Sequence, residues 1–80
     1  MNYRDHLTQR SDAVGGEIVF KGTRVPLRTV LASLADGDSF EAILLAFPTL
    51  TKEHLRAAVA FAAASAMEDQ PVPAVPRIAG

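Results

Sequence analysis

No cysteine occurs in the chain. That absence excludes disulfides, thiolate metal sites and thiol nucleophiles, and makes a reducing cytoplasm the expected setting. Aromatic residues are sparse at 6%, with no tryptophan. Alanine and leucine supply the apolar content instead, a choice that favours small helices packed closely. No uninterrupted apolar run approaches the roughly 20 residues that a membrane helix needs. The amino terminus, Met1-Asn2-Tyr3-Arg4-Asp5-His6, lacks the basic-then-apolar order of a secretory signal. A soluble, cytoplasmic protein without a membrane partner is expected. Large charge of one sign is also missing: the formal net charge is −1, which speaks against a strongly electrostatic nucleic-acid binder.

What is present suits one domain. A chain of 80 residues buries only about 60% of the surface its unfolded form exposes, so dimerisation is a natural supplement. Charge is unevenly spread. Arg4, Arg10, Lys21, Arg24 and Arg28 outnumber Asp5, Asp12 and Glu17 in the first part, whereas Asp36, Asp38, Glu41, Glu53, Glu68 and Asp69 make the rest acidic. A polyanion should therefore prefer the side of the first part, extended by Lys52 and Arg56 if the fold turns them that way.

The stretch Gly22-Thr23-Arg24-Val25-Pro26, with Gly15-Gly16 upstream, carries the most information. Glycine permits unusual backbone angles, threonine satisfies turn amides, and Pro26 fixes the angle at which a helix begins. Before it, Glu17-Ile18-Val19-Phe20 is β-rich and bounded by glycines, as a short strand should be. Thr23-Arg24-Val25 is the candidate second strand, and Tyr3 and Leu7 are candidate anchors of an N-terminal arm or strand. Strands this short need helices or another subunit to cover them.

The first helix should run from Pro26 or Leu27 to about Ala35, with Leu27, Val30, Leu31 and Leu34 at helical spacing and Gly37 as its stop. Asp38 or Ser39 can cap a second helix, and Asp38 with Glu41 has capping-box spacing. Its apolar stripe is Phe40, Ile43, Leu44 and Phe47, and Pro48 ends it near Ala46. Thr51 is the expected cap of a third helix, 52–67. Leu55, Ala58, Val59 and Ala62 should line its buried face, with Lys52, Glu53 and Arg56 pointing elsewhere. Domain 1–69 would then be followed by an extended, proline-rich tail, 70–80. The fold class is mostly α: a three-helix, helix-turn-helix or homeodomain-like bundle with a short N-terminal β element.

These linked motifs, continued by Leu34-Ala35-Asp36-Gly37 and Phe47-Pro48-Thr49-Leu50-Thr51, resemble the bacterial domain of unknown function numbered 433 over residues 7–67. The resemblance implies a small helix-turn-helix-like fold with an N-terminal β element, often dimeric, and for some members an antitoxin role beside a PIN-like ribonuclease toxin. Arg10-Ser11 stands where Asp-Pro is common in the family, and Ile18 where proline is common.

Arg24 has two roles open to it. Its guanidinium could grip a phosphate or a partner carboxylate, or brace the turn against helix-end carbonyls or Asp36. Lys21 and Arg28 flank it. Thr49, Thr51, Lys52 and Arg56 begin the helix that would read DNA in a helix-turn-helix, although the threonines could merely cap it and Glu53 opposes DNA. Phe40, Phe47 and Phe61 read as core anchors. His6 and His54 have no second ligand at helical spacing, so no metal is expected, and His54 reads as a helix-surface residue. A helix stop and a helix cap account for Asp36 and Asp38. Gly15-Gly16 lacks the continuation of a phosphate loop, and Ser39 and Ser65 lack a base.

The sequence therefore predicts a non-enzymatic antitoxin or DNA-binding regulator without a cofactor, acting as a homodimer. DNA contacts are assigned to Lys21, Arg24, Thr51, Lys52 and Arg56, and its tail or arm would bind a protein such as a PIN-like toxin. The alternative is a protein-interaction module that does not touch DNA.

Overall fold

The computed structural model describes residues 2–10 and 16–68; the proline-rich segment 70–80 and Gly15 lie outside the described residues. The order of elements is a 3-10 helix at Tyr3–Asp5, strands β1 (Leu7–Gln9) and β2 (Ile18–Phe20), and helices α1 (Leu27–Ala35), α2 (Phe40–Ala46) and α3 (Lys52–Glu68). The chain is thus mostly α, three helices preceded by a two-stranded β element.

The arm is built locally. The Asn2 side chain accepts a hydrogen bond from the Arg4 amide (3.1 Å) and so caps the 3-10 helix. Tyr3 then sets its ring edge-on against Phe61 of α3, with centroids 5.7 Å apart. Leu7 opens β1, which pairs antiparallel with β2 in the register Leu7↔Phe20, Thr8↔Val19, Gln9↔Ile18.

The expected second strand at 23–25 does not form. The partner of β2 is β1, and the chain after Phe20 turns sharply. Gly22 takes φ 81°, the left-handed angle that the third position of a type II turn uses, and the Thr23 amide reaches the Phe20 carbonyl at 3.0 Å. Only then does the chain touch the free side of β2, where the Phe20 amide donates to the Val25 carbonyl (3.1 Å) and Val19 bridges to Pro26. The turn needs the residues that a strand would have used.

Helix α1 starts after Pro26, whose φ of −68° suits a helix entry. It ends in a Schellman motif: the Asp38 amide bonds the Ser33 carbonyl and the Gly37 amide bonds Leu34, both at 3.0 Å, with Gly37 at φ 91°. This closure corrects the Asp38–Glu41 capping box. Asp38 belongs to the end of α1, so Ser39 caps α2 instead, its hydroxyl accepting from the Ala42 amide at 3.1 Å. Phe47 leaves the helix with ψ 81°, as the residue before proline must.

The core joins Phe20, Leu27, Val30, Ile43, Leu50, Leu55 and Ala58. Phe20, the strand residue, is its largest fully buried side chain, whereas Phe40, Phe47 and Phe61 pack at its margin. The buried face of α3 also differs from the expected one. Ala57 and Ala58 are fully buried beside Leu55, while Val59 is 47% exposed and Ala62 is exposed. At about 100° per residue, the arc through His54, Leu55, Ala57, Ala58 and Phe61 faces α1 on one flank and the 3-10 helix on the other.

Candidate functional site

The turn between β2 and α1 assigns work to almost every residue in it. Gly22 supplies the positive φ. The Thr23 hydroxyl donates to the Phe20 carbonyl (2.9 Å) and accepts from the Val25 amide (3.1 Å). Val25 is half-buried against the core, and Pro26 leads into α1. Arg24 alone projects outward: it is exposed, and its guanidinium has no hydrogen-bond or ion-pair partner among the described residues. The brace to Asp36 that the sequence allowed is not made.

Lys21 precedes this turn and is held at both ends of its backbone. Its amide donates to the His6 carbonyl at 2.9 Å, and its carbonyl lies 3.1 Å from Nε2 of His54. A carbonyl can only accept, so Nε2 carries a proton. On the other side of the ring, Nδ1 lies 3.1 Å from the Thr51 amide, which can only donate, so Nδ1 is bare. The two contacts fix one neutral tautomer. The His54 amide in turn meets the Thr51 hydroxyl at 3.3 Å. Thr51 and His54 thus form a capping box in which histidine takes the place of the usual glutamate or glutamine.

His54, expected on the helix surface, is therefore the clasp between α3 and the motif turn. Its ring also stands edge-on to Phe20 (5.5 Å between centroids) and to His6 (6.2 Å). The signal that identifies it is its position three residues after a capping threonine. Among the described residues no group of three or more His, Cys, Asp or Glu is arranged to hold a metal ion.

The clasp decides which candidate residues come together. Lys21 is brought beside the first turn of α3, where Thr51 spends its hydroxyl on the cap. Lys52 and Arg56 are exposed and four positions apart, so they share one stripe on the solvent side of α3. By helical angle that stripe lies roughly opposite His54, so the five residues do not form one surface: Lys21 sits on the His54 side of α3, and Lys52 and Arg56 sit on the far side. Arg28 joins neither freely: its Nε donates to Oε1 of Glu17 at 2.7 Å, although the arginine side chain is 80% exposed.

Two shallow depressions flank the hairpin. Tyr3, Leu7, Ile18 and Phe61 line the first together with the polar Arg4, Thr8 and Gln9, and Ile18, Leu27, Leu31 and Phe61 the second together with Glu17 and Arg28.

A three-helix domain entered through a β-hairpin and a Gly-Thr-Arg-Val-Pro turn is the class that these features define. Residues 7–62 match the family described as "Protein of unknown function (DUF433)", and the chain belongs to that family. It is also similar to uncharacterized protein y4eO of Sinorhizobium fredii, 44% identical over 62 residues that cover 78% of this chain and 28% of that protein. The chain thus spans less than a third of the length of this curated relative. No solved structure matches it. Among the described residues no helix is long and apolar enough to cross a membrane.

Proposed function

We propose that the chain acts by binding, as a cytoplasmic DNA-contacting regulator or antitoxin, dimeric and without chemistry of its own. One observation carries this reading: within the Gly22–Pro26 turn, Gly22, Thr23, Val25 and Pro26 have structural work, while Arg24 is presented to solvent without a partner among the described residues. A cation held out on a fixed turn costs little ordering when it meets a phosphate. Lys21 beside it is a second exposed cation, and Lys52 and Arg56 supply a separate basic stripe on the solvent side of α3. Thr51 orders the start of that helix through its reciprocal cap with His54. A PIN-like toxin is the protein partner that the family resemblance implies.

The test is a titration of duplex containing the gene's own upstream region at several salt concentrations. Binding that weakens with salt, and an Arg56→Ala variant that binds less tightly with a salt slope shallower by about one, support the reading. Absence of affinity even at low salt removes it. A second reading, a protein-interaction module without DNA, is favoured by Leu45, 83% exposed on α2, and by Val59 beside Arg56 on the open face of α3. Under that reading the titration is flat and Leu45→Ser abolishes capture of the partner.

A further inference from the structure

The hairpin has one closed edge and one open edge. The Arg10 amide bonds the Glu17 carbonyl (2.8 Å) and the Lys21 amide bonds the His6 carbonyl (2.9 Å). In an antiparallel ladder of the observed register, the hydrogen-bonded pairs are therefore His6 with Lys21, Thr8 with Val19, and Arg10 with Glu17. The residues between them turn their backbone groups outward. On β2 that side is covered by Val25 and Pro26. On β1 the outward groups belong to Leu7 and Gln9, and neither backbone has a partner on that side among the described residues.

Edges of this kind are usually blunted by lysine, proline or an inward charge. Leu7-Thr8-Gln9 has none of these; the one blunting device it shows is its length of three residues. An uncharged strand meets its own copy without like-charge repulsion along the strand, and a depression lined by Tyr3, Leu7, Ile18 and Phe61, with Arg4 at its side stacked on Tyr3, opens beside the same edge.

We propose that β1 pairs antiparallel with β1 of a second copy of this chain, centred on Thr8, joining the two hairpins into one continuous sheet. The proposal rests on the dimeric part of the reading above and is independent of the DNA part. Parity requires a centre on a residue, and only a centre on Thr8 pairs the outward groups of Leu7 and Gln9 solely with each other. Centred on Thr8, Leu7 and Gln9 of one copy exchange both hydrogen bonds with Gln9 and Leu7 of the other, and the two Thr8 residues meet on the axis as a non-hydrogen-bonded pair. A centre on Leu7 sends the Gln9 groups toward Asp5 in the 3-10 helix, and a centre on Gln9 carries the Leu7 groups past the end of β1. A centre between residues sets outward groups against inward ones. Strands this short supply few bonds, and a stable dimer buries about 1,200–2,000 Å² in total. The second copy must therefore also cover the Tyr3–Phe61 depression, and the dimer dissociates on dilution.

Thr8 is exposed, so substitutions there leave the monomer's fold intact, which a circular-dichroism melt verifies. Sedimentation equilibrium of the full chain should find a concentration-dependent dimer. Thr8→Glu and Thr8→Lys should each raise the dissociation constant by at least about tenfold, because like charges meet across the axis, and an equimolar mixture should restore the dimer. Thr8→Cys should form a covalent dimer on mild oxidation, since non-hydrogen-bonded antiparallel pairs hold their Cα atoms about 4.5 Å apart, inside the roughly 4.4–6.8 Å that a disulfide spans; Lys52→Cys should not. A wild-type chain that stays monomeric at every concentration overturns both the dimeric reading and this interface. A dimer that persists in both charge variants keeps the dimeric reading and overturns the β1 edge.

Discussion

Thr51 and His54 cap each other across the first turn of α3. The threonine amide donates to Nδ1 of the imidazole (3.1 Å), and the histidine amide is received by the threonine hydroxyl (3.3 Å). Because Nε2 of the same ring engages the Lys21 carbonyl, one side chain both starts the longest helix and holds the motif turn against it. Long-range nitrogen–proton NMR correlations should therefore show His54 as the neutral Nε2–H tautomer. His54→Ala should cost about 1–2 kcal/mol in urea unfolding, and His54→Gln should recover part of it by restoring the reach back to Thr51. Equal midpoints for all three proteins would remove the clasp.

Within the motif turn, Thr23→Val removes both bonds of a half-buried hydroxyl and should destabilise by about 1–3 kcal/mol, whereas Thr23→Ser retains them. Gly22→Ala isolates a different effect. An added Cβ would meet nothing within 4 Å, yet φ is 81°, so the expected cost of about 1–2 kcal/mol is backbone strain alone. Gly22→Asn should cost less than Gly22→Ala, and the reverse order would mean that the turn relaxes.

Arg24→Ala should leave stability within about 0.5 kcal/mol of the wild type, since no described residue holds the guanidinium. The same substitution should weaken DNA binding in the titration described above. A large loss of stability with unchanged binding would make Arg24 structural.

On α3, Ala57→Leu should cost about 1–3 kcal/mol through overpacking, because Ala57 is fully buried. Val59→Ala, on the open face, should be close to neutral. The two melting temperatures, measured side by side, decide which face of the helix is packed.

Much of this fold was legible in the chain. Leu27, Val30 and Gly37 mark α1 and its stop, and Pro48 and Thr51 bracket the connection into α3, because periodicity and caps act over a few residues. Long-range pairing was not legible in this way. Glu17-Ile18-Val19-Phe20 announces a strand, but nothing local says that its partner is Leu7–Gln9 rather than 23–25. The alanines of α3 are equally silent: small side chains fit any face, and burial of Ala57 in place of Val59 follows from how α1, α2 and the 3-10 helix together pack around α3. At the candidate site, the cations could be named from sequence. The histidine that brings Lys21 to α3 was hidden, because its Lys21 contact spans 33 residues of chain.

Lys21 is anchored by its amide to His6 and by its carbonyl to His54, and so its Cα is a pivot shared by the N-terminal arm, the hairpin and the third helix. A ligand that captures its ammonium has only the side chain left to order, since the backbone has already lost its freedom on folding. Any pull on that ammonium is delivered to the arm and to α3 at once. Occupancy of the turn should therefore be readable as slowed amide exchange at Lys21 and Thr51 together, two sites that share no sequence neighbourhood.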